Sequence, residues 1–227
     1  MNSRAVAEWQ RRVAAEYGSA ALSAQVLTWS IQVGLGPKLL ETAIRVVCDE
    51  LDHARISHEV VVALGGDPAP VAVPAEPPRL AEQGALAALV EAVVTSFCLG
   101  ESMAVPLFAR MRARCAHPVV RPALDRILED EAVHRAFGWS ALDALLALDP
   151  AVGPFVEARL PAWVGRYGGY FDPPPAPPLD EEGRGLGLLD HEEYAQIARL
   201  AWEEDLRHRF GARGIQAPAL APRAAAS

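Results

Sequence analysis

Two short segments of the chain repeat one chemistry-bearing pattern, Asp49-Glu50-Leu51-Asp52-His53 and Asp130-Glu131-Ala132-Val133-His134. Both read Asp-Glu-x-x-His. On a helix, residues three apart share a face, so each segment can aim a carboxylate and an imidazole at one point. Di-metal sites in helical bundles use this spacing, together with one more glutamate from each of two other helices. With 6 histidines in the chain, one Glu-x-x-His match carries little weight. Two copies, each preceded by aspartate, point to a site instead of two solvated helix faces.

The elements that must position these residues follow from the periodicity. Long Ala-, Leu- and Val-rich stretches with polar residues at helical spacing dominate the chain, and no strand-like alternation competes. A first helix is expected over residues 3–33. The Gly34-Leu35-Gly36-Pro37 segment ends it, with Pro37 suited to the first turn of the next helix. The second helix runs to about Leu64 and stops at Gly65-Gly66-Asp67-Pro68. A Pro-rich connector over residues 68–78 is too long for a tight turn and suits a crossing from one bundle end to the other. A third helix is expected over residues 80–114 and a fourth over 119–148, separated by Ala116-His117-Pro118. This makes an all-α chain, with a four-helix bundle in residues 1–150 built from two helical hairpins joined by a long crossover. Residues 151–215 read as a helical extension packed on the bundle. It comprises a short piece at 155–167, a Pro-rich loop at 172–178 and a last helix at 191–210. Residues 216–227 read as a disordered tail.

The two further glutamates can be sought by counting. In an antiparallel hairpin, residues at one level lie equally far from the turn. Glu16 and Glu50 have their midpoint at Val33, beside the first turn, and Glu101 and Glu131 have theirs at Ala116, in the third. Glu8 with Glu50 centres on Trp29 inside a helix, and Glu91 with Glu131 centres on Met111, also before its turn. The expected ligand set is therefore Glu16, Glu50, His53, Glu101, Glu131 and His134. Four glutamates converging in an apolar core would be costly if ionised and unpaired, and two divalent cations cancel their charge. Oxygen and nitrogen donors without cysteine suit iron or manganese better than structural zinc. Asp49 and Asp130 are expected to accept hydrogen bonds from the imidazoles' remaining N–H groups, fixing the tautomers.

This constellation resembles the ferritin-like di-iron carboxylate superfamily, over roughly residues 6–148. That superfamily includes rubrerythrins, ribonucleotide reductase small subunits, bacterial multicomponent monooxygenases and acyl carrier protein desaturases. The motifs that carry the resemblance are Glu16, Asp49-Glu50-x-x-His53, Glu101 and Asp130-Glu131-x-x-His134. The Asp-Glu-x-x-His-Ala segment at residues 49–54 looks most like small, uncharacterised bacterial ferritin-like proteins. The resemblance implies two iron ions, with manganese or a mixed Mn/Fe pair as variants, that activate dioxygen to oxidise a small organic substrate. An external electron donor would serve the centre. The alternative it offers is a ferroxidase, or a rubrerythrin-like peroxide-scavenging or iron-handling protein. Several features depart from particular members. No C-x-x-C pair exists for a rubredoxin-type iron. Val46 and Ile127 stand where arylamine N-oxygenases carry an extra histidine. Tyr17 points a quarter turn from its neighbouring ligand, which does not suit a radical-bearing tyrosine. The long Pro-rich segment after Leu148 does not suit a ferritin cage.

Residues one or two turns from the ligands are expected to line a pocket: Ser19, Ala20, Ser23, Ser57, Phe97, Cys98, Ala104, Val105, Phe137 and Gly138. Many are small, which either leaves room beside the metals or lets helices pack closely. His58, Glu204 and His208 are further polar candidates. Glu204 and His208, four apart, could share a helix face as a surface pair or lid contact. His117 and His191 read as structural or exposed, and Trp29, Trp139 and Trp202 as core anchors.

The formal charge of −8 argues against nucleic acid as a main partner, including the tRNA substrate of one hydroxylase in the superfamily. The basic run Arg110, Arg112, Arg114 lies at a helix end, where cations suit the dipole anyway. Three cysteines, Cys48, Cys98 and Cys115, fit a reducing compartment. Residues 1–12 form no apolar signal region and no uncharged run reaches membrane-spanning length, so a cytoplasmic protein is expected. Long helical bundles are compatible with a homodimer, with no seam visible.

Overall fold

Capping residues in the sequence set where the helices begin and end. The computed structural model describes residues 2–69, 82–174 and 176–221, and every regular element among them is helical. Helix α1, Ser3–Val33, starts where the Asn2 side chain accepts a hydrogen bond from the Ala5 amide at 3.0 Å. It ends at Gly34, whose φ of 79° is open to glycine at little cost, with the Leu35 amide bonding back to Ser30 O. Helix α2, Pro37–Ala63, opens with proline in its first turn and stops in the same way, Gly66 N donating to Val61 O. The third rod is composite: α3, Ala85–Ala92, a π-helical stretch, Val93–Glu101, and α4, Ser102–Arg114. Helix α5, Val120–Leu148, has its first turn capped by His117 Nδ1, which accepts from the amides of Val119 and Val120.

These four rods pack in a ring. Helix α1 lies along α2, α2 against α5, α5 against the π stretch and α4, and α3 back against α1. Two apolar clusters fill the ring. One holds Val26, Trp29, Val46, Phe97, Trp139 and Leu142, the other Trp9, Val13, Val60, Leu107, Leu124 and Ile127. Glu16, Glu50, His53, Glu131 and His134 fall between them in sequence on each rod. The expected start of the third helix and most of the connector, residues 70–81, lie outside the described residues.

The π stretch is not visible in the periodicity. Its i→i+5 bonding accommodates an extra residue, and its loosened carbonyls find other donors. Tyr167 donates its hydroxyl to Thr95 O at 2.5 Å. Pro106, one turn further on, has no amide to offer the Ser102 carbonyl. Gly138 makes the close approach of α5 possible. A Cβ there would meet Phe97 Cβ at 2.5 Å and its carbonyl carbon at 2.9 Å. By length and composition the rod Ala85–Arg114, with a mean hydropathy of 1.5, could cross a membrane. In this fold it carries Glu101 and packs on α1 and α5.

The C-terminal part adds α6, Val152–Gly165, α7, Gly168–Phe171, α8, Glu181–Gly185, and α9, His191–Ala201. A second π turn, Trp202–Leu206, leads into α10, Arg207–Gly211. Helix α9 packs on α4 and α6 on the π stretch and α5. Residues 216–221 correct the expectation of a disordered tail over their length. Trp202 Nε1 donates to Pro218 O at 3.2 Å, Arg199 Nη2 donates to Ala221 O at 2.9 Å, and Ala217 and Leu220 pack on the core. Residues 222–227 lie outside the described residues.

Candidate metal centre

The repeat on α2 and α5 extends further than Asp-Glu-x-x-His. Arg45 precedes Asp49 by four residues, and Arg126 precedes Asp130 by four, so both helices carry Arg-x-x-x-Asp-Glu-x-x-His. Three positions of each, the aspartate, the glutamate and the histidine, face inward and are buried. His53 and His134 are fully buried, and their rings lie 5.7 Å apart.

Glu50 reaches both imidazoles, with Oε2 3.6 Å from His53 Nδ1 and Oε1 3.5 Å from His134 Nδ1. Glu131 does the same from the opposite helix, at 3.9 Å from His53 Nδ1 and 3.6 Å from His134 Nδ1. Two groups of donor atoms result, Glu16–Glu50–His53 and Glu50–Glu101–His134, each with its atoms within 4.8 Å of one another. All six residues expected from the spacing converge here, and Glu50 belongs to both groups.

Outside this layer the aspartates pair crosswise. His53 Nε2 lies 3.2 Å from Asp130 Oδ2, and His134 Nε2 lies 3.4 Å from Asp49 Oδ2. Each aspartate therefore serves the histidine of the other helix. Arg126 donates to Asp130 at 2.6 Å and Arg45 lies 3.4 Å from both aspartates, so two guanidinium groups balance two carboxylates. A repeat read only from its aspartate leaves both arginines out. Reading it four residues further would have found them.

A carboxylate only accepts, so each Nε2 facing an aspartate carries a ring proton, and in the neutral imidazole that a metal requires each Nδ1 then presents a lone pair. Those lone pairs point at carboxylates. Neither Nδ1 has a hydrogen-bond partner, nor does Glu131 Oε2, although all three atoms are buried. Acceptors facing acceptors in a dry core repel, and a cation between them removes the conflict. Bonds of about 2.0–2.2 Å to nitrogen and oxygen span donor separations of up to about 4 Å. The donor set fits a pair of divalent metal ions.

The carboxyl groups register the same strain. Burial, then the charges of Glu101, Glu16 and Glu131, push Glu50 well above the ordinary range. Burial and then Glu131 do the same to Glu101, whose protonated carboxyl donates to Glu131. Burial raises Glu131 to about 7, held back by that hydrogen bond and by Arg12. Without cations these acids keep protons.

Beside the centre lies an open cavity of about 490 Å³, reached on the side of Glu16, Glu101 and Glu131. Of the expected lining residues, Ser19 and Ala104 belong to it. Ala20, Ser23, Ser57, Phe97, Cys98, Phe137 and Gly138 are buried and do not line this cavity. Phe97 and Cys98 sit on the π stretch against Gly138 of α5, and Ser96 and Gly100 of that stretch line the cavity instead. Phe97 instead packs edge-on against Phe137 at 5.1 Å, and Gly138 serves close packing in place of open space. Val105 lines a separate groove with Arg135 and Glu204, while His208 lines another depression. Glu204 and His208 thus line different depressions, and neither belongs to a donor group. His58 is half-buried with an unpartnered Nδ1 and is in neither donor group. Trp29, Trp139 and Trp202 are buried core residues, and Tyr17 packs against the apolar cluster around Trp9.

Sequence reasoning also missed Arg12, Tyr167, Tyr170 and Tyr194, all in the cavity wall. The tyrosines arrive from the C-terminal elements, and no local spacing signals that. Compared with family models, curated proteins and solved structures, the chain gives no match. The geometry of the site therefore carries the functional reading.

Proposed function

We propose that the chain is a ferritin-like four-helix bundle holding two metal ions, and that it works as a non-haem di-iron oxidase or oxygenase on a small organic substrate. The observation that carries this reading is the meeting of four carboxyl groups with two unpartnered imidazole Nδ1 atoms in one buried layer. Glu16 and His53 would hold one ion, Glu101 and His134 the other, with Glu50 and Glu131 between them. Iron is the simplest occupant for oxygen and nitrogen donors, and manganese or a mixed pair uses the same set. When bound and reduced, the pair supplies the electrons that activate dioxygen, and an external donor replaces them.

The chain's own part is positional. Asp130 and Asp49 orient the imidazoles of His53 and His134 through their Nε2 protons. The apolar clusters on either side keep water out and strengthen each charge interaction. The cavity along Glu16, Glu101 and Glu131 admits dioxygen and substrate. Its volume favours an organic substrate over ferroxidase or peroxide-scavenging activity, since an iron ion or hydrogen peroxide needs far less than 490 Å³.

Metal-free protein loaded with Fe(II) under anaerobic conditions and then exposed to dioxygen tests this. Two irons per chain, a transient visible absorption and no mineral growth are expected, with no iron retained by Glu50→Ala/Glu131→Ala. Uptake of many irons per chain would mean storage, and rapid turnover of hydrogen peroxide a scavenger. Protein grown with ample iron and manganese that carries no metal sinks the proposal.

A further inference from the structure

Arg12 lies one helical turn before Glu16 on α1 and lines the cavity. Two aromatic rings fix its guanidinium, Trp9 at 4.3 Å and Phe108 at 4.8 Å, and Nη2 donates to the Met111 sulfur at 3.6 Å. Nη1 is buried and has no hydrogen-bond partner. A desolvated guanidinium N–H left unpaired is costly, and a carboxylate or phosphate matches its planar fork.

Charge balance says which kind of partner is missing. Two divalent ions cancel Glu16, Glu50, Glu101 and Glu131, and Arg45 with Arg126 offsets Asp49 and Asp130. On the cavity wall Glu8 and Arg11 pair with each other. Among the described lining residues, Arg12 is then the charge left without a counter-ion. The rest of the wall is largely apolar or aromatic: Ala15, Met103, Leu107, Tyr167 and Tyr170, beyond the Phe108 already named. A second cavity of about 380 Å³ shares Glu8, Arg11, Arg12, Met111, Tyr170 and Tyr194 with the first, so the guanidinium stands where the two meet, beside the Glu8–Arg11 pair.

We propose that the substrate is an organic monocarboxylic acid with an apolar body, and that Arg12 binds its carboxylate one turn from the metal-binding layer. The inference rests on the dimetal reading for its charge balance. Neutral analogues of the same shape would pair with Nη1 only through an uncharged acceptor and lose the charge-assisted bond, so they bind more weakly.

Manganese-loaded protein, titrated without dioxygen by calorimetry, gives the test, with 4-phenylbutanoate and 4-phenylbutanamide as probes. The acid is expected to bind at least about tenfold more tightly than the amide, as for hydrogen bonds to a charged group. Arg12→Gln should remove that preference, and Arg12→Lys should keep part of it. Equal affinity for acid and amide, no binding of either, or an acid preference that survives Arg12→Gln each overturns the proposal. The last result would place the carboxylate on the metals. Should Arg12→Gln fail to fold, the comparison of acid and amide on the unaltered chain decides. Manganese content measured first separates the two readings: two ions without acid preference sinks this inference alone, whereas no bound metal sinks the dimetal reading beneath it.

Discussion

Helices α2 and α5 contribute to the candidate centre in one way, and α1 and the third rod in another. The α2/α5 side is symmetric in sequence and only Glu131 of it meets the cavity: each helix carries Arg-x-x-x-Asp-Glu-x-x-His, each glutamate reaches both imidazoles, and each aspartate crosses to the other helix's histidine. The opposite side is asymmetric and open. Glu16 comes from a regular helix and Glu101 from the last residue of a π stretch, and both line the cavity with Arg12 and three tyrosines. One side is built to hold, the other to admit.

The largest way to break this contrast is to withhold metal. Burial keeps Glu50 and Glu101 well above the ordinary carboxyl range and Glu131 at about 7. The folded, metal-free chain thus binds protons that an unfolded chain, with glutamates near ~4.3, would release. Stability from these groups is fully present below the unfolded value and is lost as pH rises through about 7, where Glu131 ionises. Thermal melts of metal-free protein should show a falling Tm between about pH 5.5 and 8. The metal-loaded form should not fall, because cations then favour the ionised carboxylates. A metal-free Tm that rises with pH would contradict the packing of unpaired acids in this core.

Asp49→Asn sharpens the comparison on the α2/α5 side. Because Asp49 faces His134, the change should weaken the ion held by Glu101 and His134, by about 10- to 100-fold in chelator competition. Asp130→Asn should weaken the ion at Glu16 and His53 instead. If each aspartate affected the histidine of its own helix, the crosswise pairing would be wrong.

Gly138→Ala probes the joint between the two sides. The added methyl would press on Phe97, including its backbone, and should cost about 1–3 kcal/mol in denaturant unfolding while both metals still bind. No loss of stability would mean that α5 and the π stretch do not need their close approach.

The sequence by itself determined the helical class, most helix ends and which acidic and histidine residues come together in the buried layer. Gly34, Pro37 and Gly65 act through local backbone preferences, which any chain context respects. Glu50 with His53, and Glu131 with His134, share faces because α-helical spacing is local too. Counting found Glu101 because the π stretch, Val93–Glu101, lies on the far side of it from the turn, leaving α4 regular across the counted interval. Only the tertiary structure decided the rest. Phe97 and Cys98 left the pocket because α5 closes on them at Gly138, and Glu204 and His208 came to line different depressions. The crosswise aspartates and the tyrosines from α7, α9 and the turn between α6 and α7 depend on how distant segments meet, as does Arg12 set between Trp9 and Phe108. Helical spacing specifies the direction of a side chain from its own axis, whereas what it faces is settled when the axes pack.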